Sequence, residues 1–291
     1  RRADSPAVCS VIAGLSLMRV RDIDLLLYQG ESADATGGGL DGAVQLAGVF
    51  ERRLGVAPQR IGQRSVRTSA NQLEDWHDQL VDMGNGLEQA AAGWAKSLRG
   101  HRRIIGLLPR CSVAMATLPE VFKRHPRARL LWIDAHPDLN TSQESSSGYL
   151  GGMALAAAIG RWDSGLGAAV PVDQVALVGA RDIDAAEQVY IDASGIRRVA
   201  IDGFDVAALA DWLGNAPVYI HLDCDVFDPA CVPADYAVDH GIGFSELARV
   251  LQVINPERVV GVEIAELAAT WADGRQAPTQ RLVDSFMRLV N

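Results

Sequence analysis

Cysteine is scarce in this chain: Cys9, Cys111, Cys224 and Cys231 are the only four in 291 residues. Scattered in this way they make neither a Cys-x-x-C zinc pattern nor a disulfide framework, which points to a reducing, cytoplasmic setting. No basic stripe is present, and the formal net charge is −9. An acidic surface repels phosphate backbones, so nucleic acid is excluded as a partner. The apolar stretch in "RRADSPAVCSVIAGLSLM" is too short to span a bilayer and lacks a convincing small-x-small cleavage site, so no membrane role is expected. Residues 1–20 are read as a flexible extension, with Met18 just before the first confident strand. No polar linker, low-complexity tract or internal repeat divides the remainder, so residues 21–291 are expected to form a single domain. There is no Gly-x-Ser-x-Gly elbow for a serine hydrolase. Gly37, Gly39 and Gly42 fit a nucleotide-binding glycine pattern formally, but stand too far from the preceding strand for a tight phosphate turn.

What is present is apolar residue in quantity, 48% of the chain, arranged in short runs. "DIDLLLY", "RIIGLLP", "ARLLWIDA", "QVALVGA", "RRVAID", "PVYIHLD" and "RVVGVEIAEL" read as strands. Helix-period segments lie between them, among them "LDGAVQLAGVFERRL", "SVAMATLPEVFKRH", "DAAEQVYIDAS", "FSELARVLQVI" and "APTQRLVDSFMRLV". Continuous apolar strands alternating with helices predict a mostly parallel sheet covered on both faces, a three-layer α/β sandwich. In such sheets ligands bind beyond the carboxyl ends of the strands.

The unusual residues fall at those ends. Asp134, His136 and Asp138 follow "ARLLWI" at alternate positions, and Asp223 and Asp225 follow "PVYIHL" in the same way. While the chain stays extended, residues at i, i+2 and i+4 share one face. Brought together, four carboxylates and an imidazole would repel without a cation or protons to balance them. Hard oxygen donors with imidazole suit manganese-like ions, and a two-metal centre supplies hydroxide for hydrolysis at neutral pH. Asp228, before Pro229, reads as a turn residue, Cys224 as core, and His221 as support beneath the ligands.

"DAHPDLNT", "HLDCDVFDP" and "GVEIAEL" resemble, in order, signature motifs of the arginase–agmatinase (ureohydrolase) family. The resemblance implies an arginase-like fold with two Mn(2+) per chain, and hydrolysis in which a metal-bridging hydroxide attacks a guanidinium carbon. By motif, Asp134 and Asp223 would bridge the ions. Asp138 would complete one shell and relay a proton; His136 and Asp225 would complete the other. Glu266 would hold the guanidinium, as suits a carboxylate facing a planar cation. Asn140, Ser145 and Ser147 fall where the arginine-specific branch binds the α-carboxylate, and Asp184 and Glu187 where it binds the α-amino group. The implied partner is a small guanidino amino acid.

Two positions depart from the family pattern. Its first motif reads Gly-Gly-Asp-His-Ser, whereas "LPRCS" places Cys111 where a metal-binding histidine is expected; Gly151 stands where the arginase branch has a mobile shuttle histidine. A thiolate is a soft ligand, so Cys111 would make one metal site weaker than the other, or unfilled. The same departures, with "SGYLGGM", resemble a branch of the family that hydrolyses Nω-hydroxy-L-arginine to hydroxyurea and L-ornithine in D-cycloserine biosynthesis. An arginase or another guanidino-acid hydrolase stays open, to be separated by substrate competition. So does a catalytically silent binding or regulatory subunit, to be separated by metal stoichiometry. Monomer and homo-oligomer are both open.

Overall fold

All seven apolar runs are strands, and an eighth, shorter one joins them at the sheet edge. The computed structural model describes residues 22–33, 38–64, 75–200 and 205–290. The extension expected over residues 1–20 lies outside these, as do Cys9 and Gly37. The strands are β1 (Ile23–Tyr28), β2 (Gln59–Ile61), β3 (Arg103–Leu107), β4 (Arg129–Ile133), β5 (Val175–Val178), β6 (Arg197–Val199), β7 (Val218–Asp223) and β8 (Val259–Ala265). They form one sheet in the order β2-β1-β3-β8-β7-β4-β5-β6, and every neighbouring pair is parallel. Every residue of β1, β3, β7 and β8 is buried. A sheet covered on both faces has no solvent side to demand alternation, which is why these runs are continuously apolar.

The helices are α1 (Gly38–Leu54), α2 (Trp76–Arg99), α3 (Ala114–Arg124), α4 (Ala154–Ala158), α5 (Ala185–Ser194), α6 (Val206–Leu213), α7 (Phe244–Gln252) and α8 (Thr279–Val290). One core contains Leu25, Leu27 and Ile220 from the sheet with Phe50 of α1, Leu209 of α6, Leu247 of α7 and Phe286 of α8. The other contains Leu26, Tyr28 and Tyr219 with Trp94 of α2, Phe122 of α3, Leu155 of α4 and Ile191 of α5. Successive strand residues thus feed opposite cores, as a pleated strand requires. The result is the three-layer α/β sandwich the patterning indicated, with its sheet wholly parallel.

Helix α2, 24 residues long, is missing from the sequence reading. Its glycines are the reason, since each weakens the helical signal by about 1 kcal/mol. Gly86 is there for packing: a Cβ would meet the Tyr28 hydroxyl oxygen at 2.3 Å. The formal glycine pattern resolves likewise. Gly39 and Gly42 lie inside α1, where a Cβ on Gly39 would stand 2.3 Å from the Pro109 carbonyl oxygen and one on Gly42 1.8 Å from that of Leu267. These glycines let α1 press against the segments that follow β3 and β8. Gly42→Ala must therefore push backbone aside, with an expected loss of about 1–3 kcal/mol, read as a lower urea midpoint at unchanged slope.

The four central strands β3, β8, β7 and β4 end side by side. Cys111, Glu266, Asp223 with Asp225, and Asp134 with His136 and Asp138 follow them, one set per strand. Residues more than a hundred positions apart meet because their strands are neighbours.

Candidate metal centre

The two aspartate pairs converge by turning rather than by staying extended. β4 ends at Ile133 and β7 at Asp223; Cys224–Val226 form a single 3-10 turn. The first carboxylate of each pair makes its own bend. Asp134 Oδ1 accepts the His136 N–H at 2.7 Å, and Asp223 Oδ1 accepts the Asp225 N–H at 2.7 Å. Such Asx turns compete successfully with a strand's ladder. The backbone then crosses unfavourable ground: Asp138 has φ 51° and Glu266 φ 63°, a left-handed conformation that costs an ordinary side chain about 1–2 kcal/mol.

Three trios of ligand atoms result, each with its atoms within 4.8 Å of one another: Cys111, Asp134 and His221; Cys111, Asp223 and Glu266; and Asp134, His136 and Asp225. Asp134 is common to two trios, as is Cys111. His136 Nδ1 donates to Asp225 Oδ2 at 2.9 Å. The Cys111 thiol lies 2.9 Å from Asp223 Oδ2 and 3.1 Å from His221 Nε2. Asp138 lines the same cavity but belongs to none of the trios.

His221 stands closer to the ligands than its sequence position suggested. The ring is fully buried and stacked on Trp132 with centroids 3.7 Å apart. Nδ1 faces Glu263 Oε1 at 2.7 Å. A carboxylate can only accept, so Nδ1 carries a proton and Nε2 is left facing the sulfur. Glu263 also accepts from Thr117 Oγ1 at 2.8 Å and from the Tyr219 hydroxyl at 2.9 Å, and is itself fully buried. The sequence reading passed over Glu263, although an acid inside the apolar run "RVVGVEIA" was the available signal.

The electrostatics call for a cation. Burial, and then the neighbouring Asp225 charge, push Asp134 up to about 8. Asp223 and Asp138 are likewise raised well above the usual carboxylate range, first by burial and then by neighbouring acids. Burial works to lower His136, but its hydrogen bonds to Asp134 and Asp225 prevail and lift it to about 12. Burial also raises the Cys111 thiol. Asp134 Oδ2 is buried with no hydrogen-bond partner. An orphaned carboxylate oxygen among ionisable ligands on four strand ends fits a divalent metal.

The adjoining cavity, about 310 Å³, is lined by Cys111, His136, Asp138, Asp223, Asp225 and Glu266 and also by Asn140, Ser147, Asp184 and Glu187, whereas Asp134 does not reach it. Asn140 Nδ2 donates to Asp184 Oδ2 at 2.8 Å, while Asn140 Oδ1 is buried without a partner. Glu187 is already occupied: its oxygens accept the N–H groups of Leu139 at 2.8 Å and Asp184 at 2.9 Å. Ser146 and Ser147 line the cavity; Ser145 instead accepts the Gly148 N–H at 3.1 Å. Cys224 is buried core, as expected, and Cys111, Cys224 and Cys231 are free thiols. Among the described residues no helix is long and apolar enough to cross a membrane.

The space beside Gly151 has an occupant that sequence reasoning missed. A Cβ there would lie 2.3 Å from the Tyr149 ring. Tyr149 packs at a tilt on Tyr236 with centroids 4.8 Å apart, and its hydroxyl donates to Glu266 Oε1 at 3.3 Å. Tyr149 thus takes the place into which a side chain at 151 would have to project.

A wholly parallel α/β sandwich with acids, imidazole and thiol gathered at its central strand ends is the framework of a metal-dependent hydrolase. The profile of the Arginase family matches residues 50–289, and the chain belongs to that family. It is 38% identical over 255 residues to the N(omega)-hydroxy-L-arginine amidinohydrolase of Streptomyces lavendulae, covering 88% of this chain and 92% of that protein. To the arginase of Bacillus caldovelox it is 27% identical over 211 residues, 66% of this chain and 71% of the relative. Among solved structures, the arginase of Entamoeba histolytica in complex with L-ornithine shares the fold with a TM-score of 0.80 at 20% identity, over 94% of this chain and 99% of that one.

Proposed function

We propose that this protein hydrolyses Nω-hydroxy-L-arginine to hydroxyurea and L-ornithine. Similarity to the Streptomyces lavendulae amidinohydrolase over most of both chains supports the substrate. The observation that carries the reading is the Cys111 thiol standing among the ligand atoms, together with a Tyr149 ring where a shuttle side chain at 151 would need room.

Asp134, His136, Asp223 and Asp225 would hold two divalent ions, manganese by donor type, with Cys111 the soft donor that makes one position weaker. Bound there, the ions supply the Lewis acidity that makes water a nucleophile at neutral pH. Water's oxygen bonds to the guanidine carbon, and the bond from that carbon to Nδ breaks. Nδ takes a proton and leaves as the ornithine amine, while the carbon keeps oxygen, NH2 and NHOH as hydroxyurea. Asp138, which lines the cavity beside these ligands, would carry that proton. Glu266 faces the guanidine, and Asn140 with Asp184 holds the α-substituents from the cavity wall. The expected setting is cytoplasmic.

Equal L-arginine and Nω-hydroxy-L-arginine, offered together to manganese-loaded protein, provide the test. Hydroxyurea should exceed urea at least tenfold by mass spectrometry, about the discrimination that a single polar substituent permits. Predominant urea would make the protein an arginase. Neither product would favour another guanidino acid or a silent relative.

A further inference from the structure

Behind Glu266 lies a buried guanidinium of the protein's own. Arg110, the residue before Cys111, is fully buried; one arm donates to Glu266 Oε2 and the other to Asp235. It does not line the cavity, whereas Glu266 does. The remaining Glu266 oxygen, Oε1, accepts the Cys111 N–H at 3.0 Å and the Tyr149 hydroxyl at 3.3 Å. We propose that Arg110 is a positioning residue which, acting through Glu266, makes the guanidine end of the cavity favour an uncharged guanidine over a guanidinium. This rests on the proposed function insofar as Glu266 faces the substrate's guanidine.

The geometry gives two reasons. A guanidinium binds a carboxylate best as a fork, with two parallel N–H bonds to both oxygens. Here Oε2 is already held by Arg110 and Oε1 by the Cys111 N–H and the Tyr149 hydroxyl, so an incoming guanidine cannot take both oxygens as a free fork. A cation arriving there would also stand across one carboxylate from a second cation, and a buried arginine cannot relieve that by losing its proton. Asp235 balances Arg110 only in part: its side chain is 24% exposed, so water weakens its pull without cancelling it and leaves fully buried Arg110 the stronger influence on the substrate. The arginine side chain stays protonated at any ordinary pH. An electron-withdrawing hydroxyl or nitro substituent makes a guanidine much less basic, and it can enter without its charge.

The experiment measures binding to the manganese-loaded protein by calorimetry, with L-arginine as the cationic probe and Nω-nitro-L-arginine as the neutral one. In Arg110→Gln the affinity ratio should move at least about tenfold toward arginine, the size expected for two charges a few ångströms apart in a partly buried site. Arg110→Lys, which keeps the charge but not the fork, should hold the ratio near that of the unmodified protein. Asp235→Asn, which leaves the buried cation in place and uncompensated, should move the ratio the other way, and so tests the charge even if Arg110→Gln does not fold. A ratio unmoved by Asp235→Asn, or moved equally by Gln and Lys at 110, overturns the inference while leaving the substrate reading intact. Failure of both probes to bind the unmodified protein overturns the amino-acid reading of the cavity, and the inference with it.

Discussion

Asp134→Asn is expected to lower turnover about a thousandfold and, in the proposed dimanganese centre, to cost at least one bound ion per chain. Asp134 supplies a ligand atom to two of the three trios, so no other single carboxylate serves as many. Its Oδ1 is spent on the His136 N–H, which leaves the buried, unpartnered Oδ2 for a cation. An amide keeps the shape and the turn but removes the charge and puts an N–H donor or a weak carbonyl where the anion stood. Removing one partner from a buried charge pair costs about 3–5 kcal/mol, and each 1.4 kcal/mol is a factor of ten. Metal analysis by plasma emission, beside a rate measurement, distinguishes this from a folding defect. Full manganese content with unchanged turnover would remove Asp134 from the centre.

Metal removal should invert the pH dependence of stability. In the metal-free chain Asp134 is raised from 3.8 to about 8 and His136 from 6.5 to about 12. Between about pH 4 and 8 the folded chain therefore holds a proton on Asp134 that the unfolded chain has released. Above about pH 6.5 the same becomes true of His136. Where the native state binds more protons, stability falls as pH rises, by about 1.4 kcal/mol per pH unit for each such site. The contribution is fully present at about pH 4 and is lost progressively toward pH 8 and beyond. Manganese reverses the order, because ligands must shed protons to bind and affinity grows with pH. Chelator-treated protein should melt highest near pH 5 and lower at pH 8, whereas protein in excess manganese should melt higher at pH 8. Parallel curves with and without metal would show that these groups do not bind it.

Much of the fold was legible because parallel strands buried on both faces advertise themselves as unbroken apolar runs. β1, β3, β4, β5, β7 and β8 were plain for that reason. α2 was not, because its three glycines erase helical propensity, although Gly86 serves close packing on Tyr28 of β1 and Gly93 on Ile61 of β2. At the site, the acids and His136 were legible because charge has no bland reason to follow "ARLLWI" or "PVYIHL". Their mode of convergence was not: alternation suggested an extended chain, and Asx turns at Asp134 and Asp223 do the work instead.

By itself the sequence determined the class of the protein: alternating strands and helices dictate a covered parallel sheet, and ordered motifs at three strand ends mark a member of the Arginase family. Cys111 and Gly151, too, announced a departure from arginase in the sequence alone. Only the tertiary structure decided what that departure consists of. It set His221 against the Cys111 sulfur, Glu263 behind His221, Tyr149 over Gly151, and Arg110 behind Glu266. These partners lie 42 or more positions apart along the chain, except Tyr149 and Gly151. Sequence patterns record which side chains a backbone carries and which faces it buries. Which buried charge meets which follows from strand order, and that is settled only when the whole sheet is packed.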